Sequence, residues 1–306
     1  MKNKVMTDMS DSTRKTAADF HPAILEIFDG YVHGKVSKRE FISQAGKFAA
    51  AGITGAMIYD QLRPDYALAA QVAADDPAII TQRPSVPSPK GNGSIAGLLA
   101  RPANAKGKIP AVLVIHENRG LNPYIEDVAR RLAKAGYLAF APDALTSVGG
   151  YPGSDDKGRE LQAALDPQKL FEDFVASFDF LHDHKLSTGK VGAVGFCYGG
   201  GICNALAVAC PELAASVPYY GRQPKADEVP SIKAPLLIHY AENDERINGV
   251  WRDYQAALIK HKKQYSTYFY PGTQHGFHND TTPRYDKVAA ELSWDRTLKF
   301  FGKHLR

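Results

Sequence analysis

From residue 80 onward, short apolar runs alternate with amphipathic stretches. The runs fall at 95–100, 111–116, 138–141, 191–195, 214–219, 236–240 and 265–270. Their length and continuous apolar character suit strands buried on both faces. Between them, apolar positions at helical spacing predict helices at 123–135, 167–182, 198–209 and 249–261, with a last one at 283–304. The first of these carries clear end signals. Asn122 can cap it, Pro123 suits its first turn, Ile125, Val128 and Leu132 share a face, and Gly136 ends it. Pro84, Pro87 and Pro89 punctuate a first extended segment ahead of this region. Strand–helix alternation of this kind predicts the α/β class, a mostly parallel central sheet flanked by helices. Ligands in such sheets bind beyond the carboxyl ends of the strands.

Residues 18–75 have a different texture and read as helices. Phe20, Ile24, Ile27 and Phe28 recur at helical spacing, as do Phe41, Ile42 and Phe48. Ser37 followed by Glu40 forms a candidate capping box. The division expected is an N-terminal helical extension, 1–79, whose first 15 residues are polar and prone to fray, and an α/β domain, 80–306. Ser37-Lys38-Arg39-Glu40-Phe41-Ile42 also resembles a weakened twin-arginine export motif, with Ala67-Leu68-Ala69 as a cleavage site. A lysine replaces one arginine, Lys47 interrupts the apolar region, and 36 residues precede the motif, so the helical reading is preferred.

The chain has 306 residues, 44% hydrophobic and 23% charged, enough for an ordinary core and too apolar for a disordered chain. Its net charge of +4 comes without a basic run, so nucleic acid and membrane surfaces have no electrostatic footprint here. The longest mostly apolar stretch, 48–59, has 12 residues and is too short to span a bilayer. No repeat of solenoid period is present. Three cysteines, Cys197, Cys203 and Cys210, form neither a disulfide framework nor a zinc-ligand spacing. With no strong targeting signal, the cytoplasm, where thiols stay reduced, is the expected compartment.

The chemistry concentrates after the run at 191–195. Gly195-Phe196-Cys197-Tyr198-Gly199-Gly200 is G-x-C-x-G between a predicted strand and a predicted helix. This is the nucleophile-elbow pattern with sulfur in place of a hydroxyl. Glycines two before and two after the nucleophile allow a tight turn without Cβ clashes. The helix start favours a thiolate. Cys203 and Cys210 lie further along that helix as small core hydrophobes. An elbow takes its acid and its histidine later in the chain, in that order. Asp244 follows the run at 236–240, with Glu242 and Glu245 as alternatives in the same loop. His275 follows the run at 265–270, with His278 as its rival, while His116 and His239 read as structural. In these roles Cys197 attacks a carbonyl, His275 carries the proton and Asp244 orients the imidazole. The backbone N–H groups of Tyr198 and Asn118 are the candidate oxyanion donors. Glu117, beside Asn118, is placed to tune the thiol.

These residues resemble the dienelactone hydrolase (carboxymethylenebutenolidase) family of the α/β-hydrolase fold. The motifs that carry the resemblance are His116-Glu117-Asn118-Arg119-Gly120, Gly195-Phe196-Cys197-Tyr198-Gly199-Gly200, Asp244 and His275-Gly276-Phe277. It spans roughly residues 80–305. The resemblance implies a Cys197–His275–Asp244 triad and a Glu117 that pairs with the resting cysteine. It implies opening of a small enol-lactone through an acyl-cysteine. Family members acting on dienelactone hold its carboxylate with arginines, one of them shortly after the histidine. Residues 276–280 contain none here, which leaves Arg119, Arg222 and Arg284 as candidate anchors. Tyr151, in the glycine-rich insert 146–159, is a candidate substrate contact at the pocket border.

The expected activity is therefore cleavage of a small lactone or activated ester, with no metal or cofactor. A broader esterase or thioesterase with the same triad, and a non-catalytic thiol sensor, are the alternatives. The N-terminal helices are expected either to cover the site or to join two subunits as a homodimer.

Overall fold

A computed structural model describes residues 15–49, 52–68 and 70–306. The polar segment 1–14 and Ala69 of the alternative cleavage site lie outside the described residues. The extension holds α1 (Pro22–Val32), α2 (Lys38–Ala45) and α3 (Gly55–Leu62). The capping box at α2 forms in both directions. Ser37 Oγ accepts from the Glu40 N–H at 3.2 Å, and the Ser37 N–H donates to Glu40 Oε2 at 2.8 Å. The segment 37–42 thus starts a helix whose Phe41 is fully buried among Phe28, Tyr31 and Tyr59. The helical reading to residue 75 overshoots, because α3 ends at Leu62. Pro64 disfavours helical backbone at Arg63, which is extended at φ −69°, ψ 154°.

The remaining elements are β1 (Ile79–Gln82), β2 (Ser85–Ser88), β3 (Gly93–Pro102), β4 (Ile109–Ile115), α4 (Pro123–Lys134), β5 (Leu138–Pro142), α5 (Asp155–Ala164) and α6 (Pro167–Asp183). After these come β6 (Ser187–Phe196), α7 (Tyr198–Ala209), β7 (Ala215–Tyr219), β8 (Leu236–Asn243), α8 (Glu245–Asn248), α9 (Trp251–Lys260), β9 (Tyr265–Gln274) and α10 (Lys287–Leu305). The sheet order is β1-β3-β5-β4-β6-β7-β8-β9, with β2 also on β3. The β1, β2 and β3 edge is antiparallel, and β5 through β9 run parallel. This is the arrangement the resemblance implies.

Alternation along the strands sorts the core. Val112 and Val114 of β4 pack with α4 and α10, while Leu113 and Ile115 pack with α6 and α7. The predicted cap of α4 forms, since Asn122 Oδ1 accepts from the Ile125 N–H at 3.1 Å. The predicted helix at 249–261 is α9, with the short α8 ahead of it. The last helix begins at Lys287, because the Asp286 carboxylate caps it through the Ala289 N–H at 2.9 Å.

The topology positions the site. After β4 the chain moves to β5 on one side, then returns to β6 on the other. The loops after β4 and β6 therefore face one crevice at the carboxyl edge. Among the described residues no helix is long and apolar enough to cross a membrane.

Candidate active site

Cys197 sits between β6 and α7 at φ 56°, ψ −112°, a left-handed conformation that few non-glycine residues adopt. The flanking glycines make that turn feasible. A Cβ on Gly195 would lie 2.2 Å from the Gly199 carbonyl oxygen, and one on Gly199 would lie 2.2 Å from that of Ile115. Both obstacles are backbone, so neither can move aside cheaply. Gly199→Ala is therefore expected to cost about 3 kcal/mol of stability. An unchanged urea midpoint would show that the elbow has slack.

His275 lies after β9, and Asp244 lies between β8 and α8. The His275 Nδ1–H donates to Asp244 Oδ2 at 2.5 Å, with both side chains buried. Burial works against a charged His275, yet Asp244 and the Cys197 sulfur outweigh it and push the imidazole up to about 10. Burial likewise opposes a charged Cys197, but His275 and His33 hold the thiol well below its ordinary value. Both shifts favour a thiolate at Cys197 and an imidazolium at His275. The other thiols go the opposite way, because burial pushes Cys210 up to about 11 and raises Cys203 well above its ordinary value. The remaining acids of the Asp244 loop are placed elsewhere. Glu242 accepts from the Gly272 N–H at 2.7 Å, and Glu245 opens α8.

The other histidines on the sheet are structural. His278 shares a 2.6 Å hydrogen bond with the Tyr124 hydroxyl, and burial holds it well below its usual range. His239 is pushed down to about 3 by burial, and His116 Nε2 accepts from the Ala144 N–H at 3.1 Å.

Burial and the nearby Cys197 charge both raise the Glu117 carboxyl, but Glu117 is not bonded to the sulfur. Its carboxylate lies 3.2 Å from Arg119 Nη2 and accepts from Asn279 Nδ2 at 3.2 Å. The group on the sulfur is instead His33, at the end of α1, whose Nε2 lies 3.3 Å from Cys197 Sγ. Its ring meets that of His275 edge-on, with centroids 4.8 Å apart. Asp29, one helical turn earlier, lies 3.2 Å from His33 Nδ1. Arg246 Nη2 lies 2.9 Å from His33 Nε2 and 3.3 Å from His275 Nδ1. The donor atoms of His33, Cys197 and His275 all lie within 4.8 Å of one another. The Arg246 guanidinium on the same nitrogen disfavours a metal cation there, so the cluster is better suited to handling protons. Nothing in the sequence around His33, a lone histidine past a helix end, points to the sulfur.

The extension therefore covers the site, and the loop after β4 is bound to it. Asn118 Nδ2 donates to the Val32 carbonyl at 2.8 Å. A cavity of about 680 Å³ opens at Cys197, lined among others by His33, Asn118, Tyr198, Arg222 and Arg246.

Of the four candidate substrate contacts, only Arg222 reaches this cavity. Arg119 is buried between Glu117 and Asp155, the latter at 2.9 Å. Arg284 is buried 3.6 Å from Asp29 and over the Phe28 ring. Tyr151 donates to Asp155 Oδ1 at 2.8 Å. The insert it belongs to runs into α5 and does not border the cavity. It supports the extension instead, since the hydroxyls of Tyr31 and Tyr59 both donate to Asp156. Arg119, Tyr151 and Arg284 are thus engaged by the carboxylates of Glu117, Asp155 and Asp29.

Comparison with known proteins agrees with this geometry. The dienelactone hydrolase family model matches residues 95–305, and a YqhI-like model matches residues 12–50. A carboxymethylenebutenolidase candidate from Saccharolobus solfataricus is 34% identical over 245 residues, covering 68% of this chain and 94% of its own. The candidate hydrolase fragment YghX of Escherichia coli is 62% identical over 115 residues, covering 38% of this chain and 98% of its own. The crystal structure of a candidate dienelactone hydrolase from Klebsiella pneumoniae superimposes with a TM-score of 0.66 at 28% identity, covering 74% of this chain and 99% of the other. A chain with this sheet, this elbow and these relatives belongs to the dienelactone hydrolase family and is a carboxylic ester hydrolase of the carboxymethylenebutenolidase-like kind.

Proposed function

We propose that the protein opens a small lactone, or cleaves an activated ester, through an acyl-cysteine on Cys197. The observation that carries this reading is the strained elbow at Cys197, with His275 bonded to Asp244 at 2.5 Å beside it. The thiolate attacks the carbonyl carbon, and the ester C–O bond breaks as the S–C bond forms. Asp244 fixes the imidazole so that its Nε2 faces the sulfur and the imidazolium stays charged. The backbone N–H groups of Tyr198, at the start of α7, and Asn118, after β4, receive the oxyanion. Water then cleaves the thioester and returns the thiolate. A thiolate suits substrates whose leaving group is a stabilised enolate or phenolate.

One relative supports a lactone. A candidate 2-oxo-3-(5-oxofuran-2-ylidene)propanoate lactonase from Bradyrhizobium is 32% identical over 223 residues. A carboxylate on such a substrate has three cationic side chains at the cavity, Arg222, Lys225 and Arg246. A broader esterase is the second reading. It is favoured by the apolar wall of Phe171, Ile202 and Val208, which leaves room for a larger acyl group.

Trapping tests the reading. The wild-type protein is mixed with a dienelactone or a p-nitrophenyl ester, quenched in acid and mapped by peptide mass. Acyl mass on the Cys197 peptide with both substrates is expected. Acylation by the aryl ester alone would move the substrate to the second reading. Turnover with no acyl mass on Cys197 would overturn the mechanism.

A further inference from the structure

We propose that His33, held by Asp29, is a second acid–base residue at Cys197, which protonates the leaving group as the acyl-cysteine forms and deprotonates the water that cleaves it. The inference rests on the reading of Cys197 as the nucleophile.

The two histidines at the sulfur are differently placed. His275 is 4% exposed and does not line the cavity, while His33 does. A leaving group departing into the cavity, or a water arriving from it, meets His33. The His33 ring is oriented as a catalytic imidazole is. Its Nδ1 faces Asp29, 2.8 Å from the backbone carbonyl and 3.2 Å from the carboxylate, so a proton there leaves Nε2 aimed at the chemistry. Asp29 is itself held by cations, with Arg246 at 3.5 Å and Arg284 at 3.6 Å, so it stays a carboxylate. This His33–Asp29 pair repeats, from the extension, the His275–Asp244 pair of the hydrolase sheet.

An acid–base group must be stable in two protonation states, and Nε2 has a partner for each. As imidazolium it donates to the thiolate at 3.3 Å. As neutral imidazole it accepts from Arg246 Nη2 at 2.9 Å. Acylation changes which state is favoured, because it turns the negatively charged sulfur into a neutral thioester. Burial opposes the charged form of His33, and the Cys197 charge is the leading influence that raises it. When that charge is consumed, His33 gives up its proton more readily.

The protons then balance. In acylation the thiolate displaces the alkoxide or enolate, which takes the Nε2 proton of His33 and leaves as an alcohol or enol. In deacylation neutral His33 takes a proton from water as the new C–O bond forms and the S–C bond breaks. The departing thiolate is received by His275, still an imidazolium. The cycle ends with an acid, an alcohol and the starting enzyme.

The test uses p-nitrophenyl acetate and a matched alkyl ester on the full chain, by stopped flow and acid-quenched mass. Nitrophenolate leaves without a proton, so His33→Ala should keep its burst. Its steady-state rate should fall about 10²-fold, with acyl mass accumulating on Cys197. The alkyl ester should lose its acylation step as well. Added imidazole should restore deacylation, an effect that a purely structural role of His33 would not show. Asp29→Asn, which leaves the ring in place, should show the same split in weaker form and decides the matter if His33→Ala does not fold. Wild-type steady-state rates in both variants would overturn the proposal, as would parallel loss of burst and turnover without imidazole rescue. A wild type with no burst, matched in rate by Cys197→Ala, would instead sink the nucleophile reading itself.

Discussion

Cys197→Ala is expected to lose about 10⁴-fold or more in turnover of an aryl ester, with substrate binding little changed. The argument is one of acidity. Of the three thiols only Cys197 is held below its ordinary value, and the other two are pushed up by burial. No other sulfur can take its place. Cys197→Ser is the sharper variant. A hydroxyl at the elbow needs a neutral imidazole to remove its proton, whereas His275 sits at about 10 and is protonated at neutral pH. Part of that elevation comes from the sulfur, so the serine variant should lower the His275 pKa, followed by NMR, and recover only a small part of the lost rate. Turnover in Cys197→Ala within a few fold of wild type would remove Cys197 from the chemistry.

His275→Ala should cost about 10³–10⁴-fold in turnover and also change the reactivity of the thiol. Among the groups that lower the Cys197 pKa, His275 comes first and His33 second. Removing His275 should therefore raise the pH at which Cys197 reacts with iodoacetamide, a neutral reagent. The sign follows from the charge pair. The wild-type rate should already be level at neutral pH, since the thiolate persists above its depressed pKa. The variant should react slowly at neutral pH and speed up as pH approaches the ordinary thiol value of 9.0. Catalysis by the wild type should in turn fall as pH rises through about 10 and His275 loses its proton. An alkylation profile that does not move in His275→Ala would show that burial and His33 alone set the thiol.

Local patterns carry much of this molecule. The runs at 111–116 and 191–195 are legible as strands because a strand buried on both faces must be continuously apolar. The elbow is legible because its glycines answer a steric demand within a few residues, seen here in the contacts a Cβ would make at Gly195 and Gly199. Asp244 and His275 can be placed because each follows a recognisable strand, and the parallel sheet brings those strand ends together. The end of α3 was also readable in principle, from Pro64.

What depends on charge partners was not legible. Arg119, Arg222 and Arg284 look alike in a sequence, yet only Arg222 faces the cavity. The other two are buried against the carboxylates of Glu117, Asp155 and Asp29, and a buried arginine without such a partner would be strongly destabilising. Glu117 illustrates the same limit, since its neighbours Arg119 and Asn279 bring it partners other than the sulfur.

The sequence by itself determined the α/β class, the elbow and the order of the three residues expected to act there, because each follows from periodicity or sterics over a short span. Only the tertiary structure decided that the N-terminal helices lie over the site, that His33 meets a sulfur 164 positions away, and which of the candidate arginines lines the cavity. Those outcomes depend on packing α1 against the ends of distant strands and on pairing charges across the fold, and neither leaves a local pattern in the chain.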